Sequence, residues 1–527
     1  MTDSQASELV IAIDVGTSGV RATAVDLTGR TVREIRKGYA VSTPGPGLAE
    51  QDPRDWTERA VEALGLLVRR LDDPSRVVAI GLTGQCPTIG AVDTEGRPVG
   101  PGLMYFDNRA VDEAQEITER YGAAYMHART GHVPEAFYAG PKILWLQRHQ
   151  PDVFARIHRL LLPRDFVLRR LTGIEATDHT HASCTLFFDL RERRWATDLM
   201  EDFGLDPALF PPVLAPQEVA GTLLASVAAE VGLRSDIPVA VGAADSLCAA
   251  FGASVNEPGP ISEMAGSSSC LNSAVDLPLD HLGIDIYPHI VSNRFMTEVG
   301  VNTAGAAVDW VVRQFDFKRH SVLLEEAERF RVRWRKRSRR SLNPLEAAPL
   351  FIPYLGDGER NNPDARGAFV GLSLRHDRAA IAYATLEGVA FAVRSVINVL
   401  VEGGCRFAEL RVSGGAARYA IANQLKADAL RRPVLTLRID ATTVGAAMLA
   451  AVGAGYQADV QNMMSDLLRR AEVLYPSDLD SRIARERAAW YDRVVGAAAL
   501  QVTTEDLSEV TLPNRTTCGM NVNQPPR

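Results

Sequence analysis

The 527 residues carry a net charge of -8, with 46% hydrophobic and 23% charged residues; this is globular composition with room for roughly two to four domains, and it argues against nucleic acid as the main partner. Cys86, Cys184, Cys248, Cys270, Cys405 and Cys518 include no C-x-x-C pair, which excludes a disulfide framework or structural zinc as the organising device. No apolar run is expected to reach the roughly 20 residues of a membrane helix, and the start MTDSQASEL lacks the basic and apolar parts of a signal peptide, so a cytoplasmic protein without a membrane partner is expected.

The first elements lie in "IAIDVGTSGVRATAVD", residues 11–26. They read as two β-branched strands about the turn Gly16-Thr17-Ser18-Gly19, and Asp14 stands near the end of the first although strand interiors avoid Asp. "DWTERAVEALGLLVRRL" (55–71) predicts an amphipathic helix with an acidic start, and "VVAIGLTG" (77–84) a buried strand. Gln85 and Cys86 follow that strand, at the end where α/β proteins bind ligands; Cys86 is expected to line a substrate pocket. "MYFDNRA" (104–110) sets Asp107, Asn108 and Arg109 beside two aromatics. It suits either a grip on a polyol or a surface turn with an ion pair. "DHTHASC" (178–184) has two histidines but no third ligand at metal-binding spacing.

"DIPVAVGAADSLCAAFGA" (236–253) reads as strand, glycine turn and helix, with Asp245 at the turn. An N-cap and a catalytic base facing a crevice both fit that position. The turn-rich "SVNEPGP" (254–260) predicts a boundary, giving domains 1–255 and 256–498 and a loose tail 499–527. "ISEMAGSSSCLNSAVD" (261–276) then repeats the opening pattern: Gly266 precedes Asp276 by the same ten residues that separate Gly16 from Asp26. Met264 stands where the first copy has Asp14. If both turns cradle phosphate through backbone N–H groups, only the first adds a carboxylate for a metal; two unrelated hairpins remain the alternative.

Further on, "VNTAGAAVDW" (301–310) and "SGGAARY" (413–419) open helices through small residues, with Gly305, Gly414 and Gly415 permitting close backbone approach. "RVRWRKRSRR" (331–340) is expected to be a solvated helix end or loop rather than an anion-binding surface, and "TTVGAAMLAAVGAGY" (442–456) a helix slim enough to pack closely on a neighbour. No P-loop motif is present, so any nucleotide must be held by hairpins and glycine turns. The class is α/β with mixed sheets.

In order from residue 9 to about residue 457, these segments resemble the FGGY carbohydrate kinases, a branch of the actin/hexokinase/Hsp70 ATPase superfamily. "IDVGTSGVR" and "EMAGSSSC" look like the family's two phosphate hairpins, "GLTGQ" with "YFDNRA" its sugar-contacting segment, and "VGAADS" the turn bearing its catalytic aspartate. "PYLGDGERNNPDARGAFVGLSLRHDRAAIAYATLEGVAF" (353–391) resembles the family signature.

The resemblance implies two actin-like (RNase H-like) domains around a central cleft and transfer of the ATP γ-phosphoryl group to a sugar hydroxyl. It implies Asp245 as the base, and Gln85, Cys86, Asp107, Arg109, Asp245 and Ser246 at the sugar. It further implies Gly16, Thr17, Ser18, Arg21, Gly266, Ser267, Ser268, Gly305, Gly414, Gly415 and Ala416 at ATP, and Asp14 at Mg2+ through water. "TDHTHASCTLFFDLRERRW" (177–195) and "YFDNRA" tilt the substrate to a ketopentose such as D-xylulose, although Cys86-Pro87 replaces the Met-His of family members that use that sugar. The competing readings are another acceptor (erythritol, glycerol, gluconate) and a non-catalytic sugar or nucleotide sensor. A homodimer is left open.

Overall fold

The computed structural model describes residues 8–290, 293–338, 348–356, 359 and 365–501. Two sheets dominate it. The first contains β1 (Leu9–Gly16), β2 (Gly19–Asp26), β3 (Thr31–Gly38), β4 (Val77–Gly84), β5 (Val219–Thr222) and β6 (Pro238–Ala244), in the order β5-β6-β4-β1-β2-β3. The second contains β7 (Gly259–Ala265), β8 (Ser269–Val275), β9 (Asp285–Pro288), β10 (Phe295–Val301), β11 (Phe407–Ser413), β12 (Val434–Thr436) and β13 (Glu472–Leu474), in the order β9-β10-β8-β7-β11-β12-β13.

The two sheets share a core topology. In each, the leading strand of a hairpin pairs antiparallel with the next strand, which pairs antiparallel with a third. On its other side that leading strand runs parallel to a later one, and this to a further parallel strand. The repeated Gly-and-hydroxyl turns therefore hold the same place in two copies of one fold, which displaces the reading as unrelated hairpins. The first turn is set by the pairs Asp14 with Arg21 and Gly16 with Gly19, the second by Met264 with Cys270 and Ala265 with Ser269.

β1 is buried nearly throughout, as a central strand covered on both faces must be. Helix α1 (Pro53–Val68) covers one face with Trp56 and Leu64. It starts at Pro53 because Asp52 accepts the Arg54 N–H at 2.9 Å, a side-chain cap followed by proline at the first helical position. The other face is covered from far along the chain. Helices α2 (Asp245–Gly252), α3 (Gly305–Gln314), α4 (His320–Ser338), α5 (Arg378–Glu402), α6 (Ala420–Leu430), α7 (Ala441–Gly453) and α8 (Asp478–Gln501) follow in order. Of these, α7 packs on β1, β4, β6 and α2. The approach is close enough to require glycine: a Cβ on Gly81 would stand 2.2 Å from the Ala446 carbonyl oxygen, and one on Gly445 1.9 Å from that of Cys248.

Helix α5 corrects one expectation. Its 25 residues include a window long and apolar enough to cross a membrane by length and composition. It packs instead against α4, α6 and β10, with Phe391, Val393 and Leu400 fully buried. The described part of the basic run lies on α4, where Arg331 pairs with Glu328 (2.8 Å), Arg333 with Asp377 (2.8 Å) and Arg335 Nε with Asp480 (2.8 Å). Arg339, Arg340, Cys518 and the tail from residue 502 lie outside the described residues.

Candidate active site

The first hairpin turn is braced from behind. Gly16 O accepts the Tyr39 hydroxyl and Gln85 Nε2 (3.4 Å); Thr17 O accepts Gln51 Nε2 (2.7 Å). Gln51 Oε1 in turn accepts Trp56 Nε1 (2.9 Å) and Gln85 Nε2 (2.8 Å), while Thr88 donates to Gln85 Oε1 (3.1 Å). Holding the carbonyls inside leaves the peptide N–H groups of such a turn for an anion. Gln85, expected beside the sugar, thus has its amide committed within the fold and braces the hairpin.

Asp14 is buried beside that turn. Its Oδ2 lies 3.2 Å from Arg21 Nη2, and its Oδ1 accepts no hydrogen bond. Burial pushes its carboxyl above the ordinary value, and the Arg21 and Arg36 charges pull against that shift. Arg21 also pairs with Asp440, which caps α7 by accepting the Thr443 N–H at 3.2 Å. A buried, unpartnered carboxylate oxygen suits a hard cation whose other ligands are water and phosphate oxygens. Among the described residues no cluster of three metal-ligating side chains occurs.

A cavity of about 1160 Å³ joins the two halves: Arg21 and Asp440 line it with Gly266, Ser268, Gly414 and Gly415. A second cavity of about 280 Å³ continues from it between α3, α4, α5 and α6. It collects Gly266, Ser267, Gly305, Gly415 and Ala416, with Val308, Leu323 and Leu386 as apolar walls. The second hairpin is seated on α3, since Ala304 and Ala306 donate to Ser267 O at 3.0 and 2.9 Å. A Cβ on Gly305 would stand 2.3 Å from Gly266 O, so that contact demands glycine. Gly414 has φ 82°, a left-handed value that favours glycine. Gly415 differs: a Cβ there meets no atom within 4 Å. Beneath this cavity Glu263 pairs with Lys426 (2.7 Å to each oxygen) and accepts the Ser269 hydroxyl at 2.9 Å.

Asp245 opens α2 where β6 ends. Ala244 holds the capping position and makes no side-chain cap, so Asp245 is the first helical residue and the N-cap reading does not apply. Its Oδ1 accepts the Ser246 N–H at 2.8 Å. Burial, followed by the negative charge of Asp14, pushes its carboxyl up to about 7; Glu298 adds to the rise and the Ser246 N–H opposes it. The Ser246 hydroxyl donates to Glu298 Oε2 at 2.5 Å, tying α2 to the second sheet.

Cys86 lies within electrostatic reach of Asp245, and burial, with the Cys184 thiol beside it, holds its own thiol well above the ordinary value. Asp107 and Arg109 form a buried fork rather than a surface turn: Nε–Oδ1 and Nη2–Oδ2 are both 2.8 Å. Arg109 also reaches Glu50 (2.7 Å) and lies 4.9 Å over the Trp145 ring. Against the upward push of burial, Arg109 and the Ala49 N–H hold the Asp107 carboxyl below its usual value. From the same segment the Tyr105 hydroxyl lies 3.4 Å from Thr17 Oγ1. Gln51, Tyr39, Asp440 and Glu298 went unnoticed in the sequence; Asp440 before Ala-Thr-Thr carried a capping signal, and the others carried none.

Duplicated sheets of this order, closing on a cleft between two Gly-hydroxyl hairpins, are the architecture of actin-like phosphotransferases. The chain belongs to the FGGY family of carbohydrate kinases: the family's N-terminal domain matches residues 9–252 and its C-terminal domain residues 263–454. It is an ATP-dependent kinase acting on a sugar hydroxyl. It is similar to the xylulose kinase of Bacillus subtilis (strain 168), 29% identical over 480 residues, 89% of this chain and 92% of that protein. It also resembles a glycerol kinase of Thermococcus kodakarensis, 27% identical over 91% of this chain and 95% of that one. The crystal structure of a xyloylose kinase from Brucella ovis superposes with a TM-score of 0.83 at 28% identity, covering 93% of this chain and 99% of that one.

Proposed function

We propose that this kinase phosphorylates a ketopentose, with D-xylulose the leading candidate, using Asp245 as general base and Asp14 to hold Mg2+ through water. The observation that carries the reading is the Asp245 carboxyl: it stands where β6 passes into α2, within electrostatic reach of Asp14, and burial with that charge pushes it up to about 7. A base is most effective when its pKa lies near the working pH, and an ordinary surface carboxylate would be too weak. Asp245 accepts the proton of the attacking sugar hydroxyl as that oxygen bonds to the γ-phosphorus of ATP and the bond from that phosphorus to the β–γ bridging oxygen breaks, with ADP as the leaving group.

The remaining work is positioning and charge neutralisation. The two hairpins offer N–H groups and hydroxyls (Thr17, Ser18, Ser267, Ser268) to the phosphates, and Arg21 adds a cation from the cleft wall. The glycine-lined cavity of Gly305, Gly415 and Ala416 takes the adenine side. Mg2+ suits the free Oδ1 of Asp14, and when bound it supplies charge neutralisation at the phosphate oxygens. The ketopentose is supported by the similarity to xylulose kinases, and the cytoplasm, which supplies ATP, is the setting this reading requires.

The test is ADP release across ketopentoses, polyols and aldonates, with D-xylulose expected to give the highest kcat/KM. A higher value for glycerol or gluconate overturns the substrate. No release with any acceptor favours a sensor.

A further inference from the structure

Behind the Asp245 corner lie five polar side chains without solvent exposure that the reaction above does not use: Arg164, Asp165, Asp178, Thr180 and His181. Asp178 is their centre. Its Oδ2 accepts the Thr180 N–H at 2.7 Å and the Thr180 hydroxyl at 2.6 Å. Its Oδ1 lies 2.8 Å from Arg164 Nη2 and 2.5 Å from His181 Nδ1. Two bonds leave this group for β6: Arg164 Nη1 donates to Val241 O, and the Ala244 N–H donates to Thr180 Oγ1 at 2.9 Å. Thr83 on β4 donates to Ala243 O at 2.9 Å. The backbone is thus pinned at residues 241, 243 and 244, immediately before the base.

We infer that Thr180, oriented by Asp178, is a positioning residue for Asp245, fixing the direction in which the base leaves the strand. The inference rests on Asp245 being the base. A threonine hydroxyl has one hydrogen. Here it is committed to Asp178, so the lone pair that meets the Ala244 N–H has a set direction. A buried ionic group is a poor source of stability compared with apolar packing, whereas the Asp178 carboxylate, with both oxygens bonded, and the Thr180 hydroxyl, which donates to it and accepts from Ala244, hold one geometry. The asset this group secures is the orientation of residue 244, one peptide from the base. Phosphoryl transfer depends on such alignment: a displacement of about 1 Å costs about 10²-fold.

The test compares Thr180→Val, Thr180→Ser and Asp245→Asn by kcat, by KM for ATP and by the pH dependence of kcat/KM. Thr180→Val keeps the shape and removes the acceptor; it is expected to lower kcat about 10- to 100-fold with KM for ATP changed less than about threefold, and to move the acid limb near pH 7. Thr180→Ser, which keeps the hydroxyl, is expected to restore most of the rate. Should Thr180→Val not fold, Thr180→Cys, of similar size and a weak acceptor, is read the same way. Wild-type kcat in the valine or cysteine variant beside an inactive Asp245→Asn overturns the positioning role alone, as does equal loss in valine and serine variants. An active Asp245→Asn removes the base reading and this inference with it.

Discussion

Glu298 Oε2 accepts the Ser246 hydroxyl at 2.5 Å, with Ser246 in the first turn of α2 and Glu298 on β10 of the second sheet. The bond fastens the first turn of α2, which carries Asp245, to the second lobe. Glu298 also places a negative charge that helps raise the Asp245 carboxyl. It therefore acts on Asp245, the proposed base, in two ways, mechanical and electrostatic.

Glu298→Gln separates them. The amide oxygen can still accept from Ser246, but the charge is gone. Less repulsion favours ionised Asp245, so the acid limb of kcat/KM, expected near pH 7 in the wild type, should move to lower pH. An upward shift, or none, contradicts the electrostatic link.

Asp245 should weaken the fold at neutral pH. Burial, with the Asp14 charge, pushes its carboxyl in the folded state up to about 7 from the ordinary 3.8. A group raised in this way contributes stability that is fully present below the unfolded value and lost as pH rises through the folded one. Asp245→Asn removes that loss. Thermal melting should show the variant gaining Tm over wild type at pH 8 and gaining much less at pH 4.5. A gain independent of pH speaks against the raised carboxyl.

Gly415 faces open space within the small cavity. A valine there should fill that cavity, the proposed nucleotide pocket, without disturbing the backbone. The expected result is a KM for ATP raised by about tenfold or more, with the sugar KM changed less than about threefold, since one bulky group displaces packed ligand surface. Equal losses for both ligands would place the adenine elsewhere.

Cys86→Met tests the sugar side. The thiol is buried within electrostatic reach of Asp245; if it lines the sugar pocket, a longer side chain should change the sugar KM or the order of preferred sugars while the ATP KM stays near wild type. Unchanged sugar kinetics would remove Cys86 from the pocket.

Much of this fold was legible in the sequence, for local reasons. The hairpin of β1 and β2 and that of β7 and β8 declare themselves through apolar strands about Gly-hydroxyl turns, and the strand-turn-helix at Asp245 through its glycine. The placement of α7 on the first sheet was not legible. Its alanines and glycines announce close packing but not the partner, which lies hundreds of residues earlier. Separations of 23 and 69 residues hid the bracing of Gly16 by Tyr39 and Gln85. The paired histidines of "DHTHASC" posed a metal question, whereas the chemistry of that segment lies in Asp178 and Thr180, joined to Arg164 and Ala244 by contacts that no spacing rule encodes. Asp107 and Arg109 were visible, but their burial as a closed fork follows only from packing against Trp145 and Glu50.

The most direct measurement is the turnover of Asp245→Asn on the best acceptor at saturating ATP. Asparagine keeps the shape and the bond from the Ser246 N–H but cannot take a proton. As general base, Asp245 predicts a kcat lower by about 10²–10⁴ with ATP affinity close to wild type. A kcat within about threefold of wild type would contradict general-base catalysis by this residue, because loss of a working base costs far more than that.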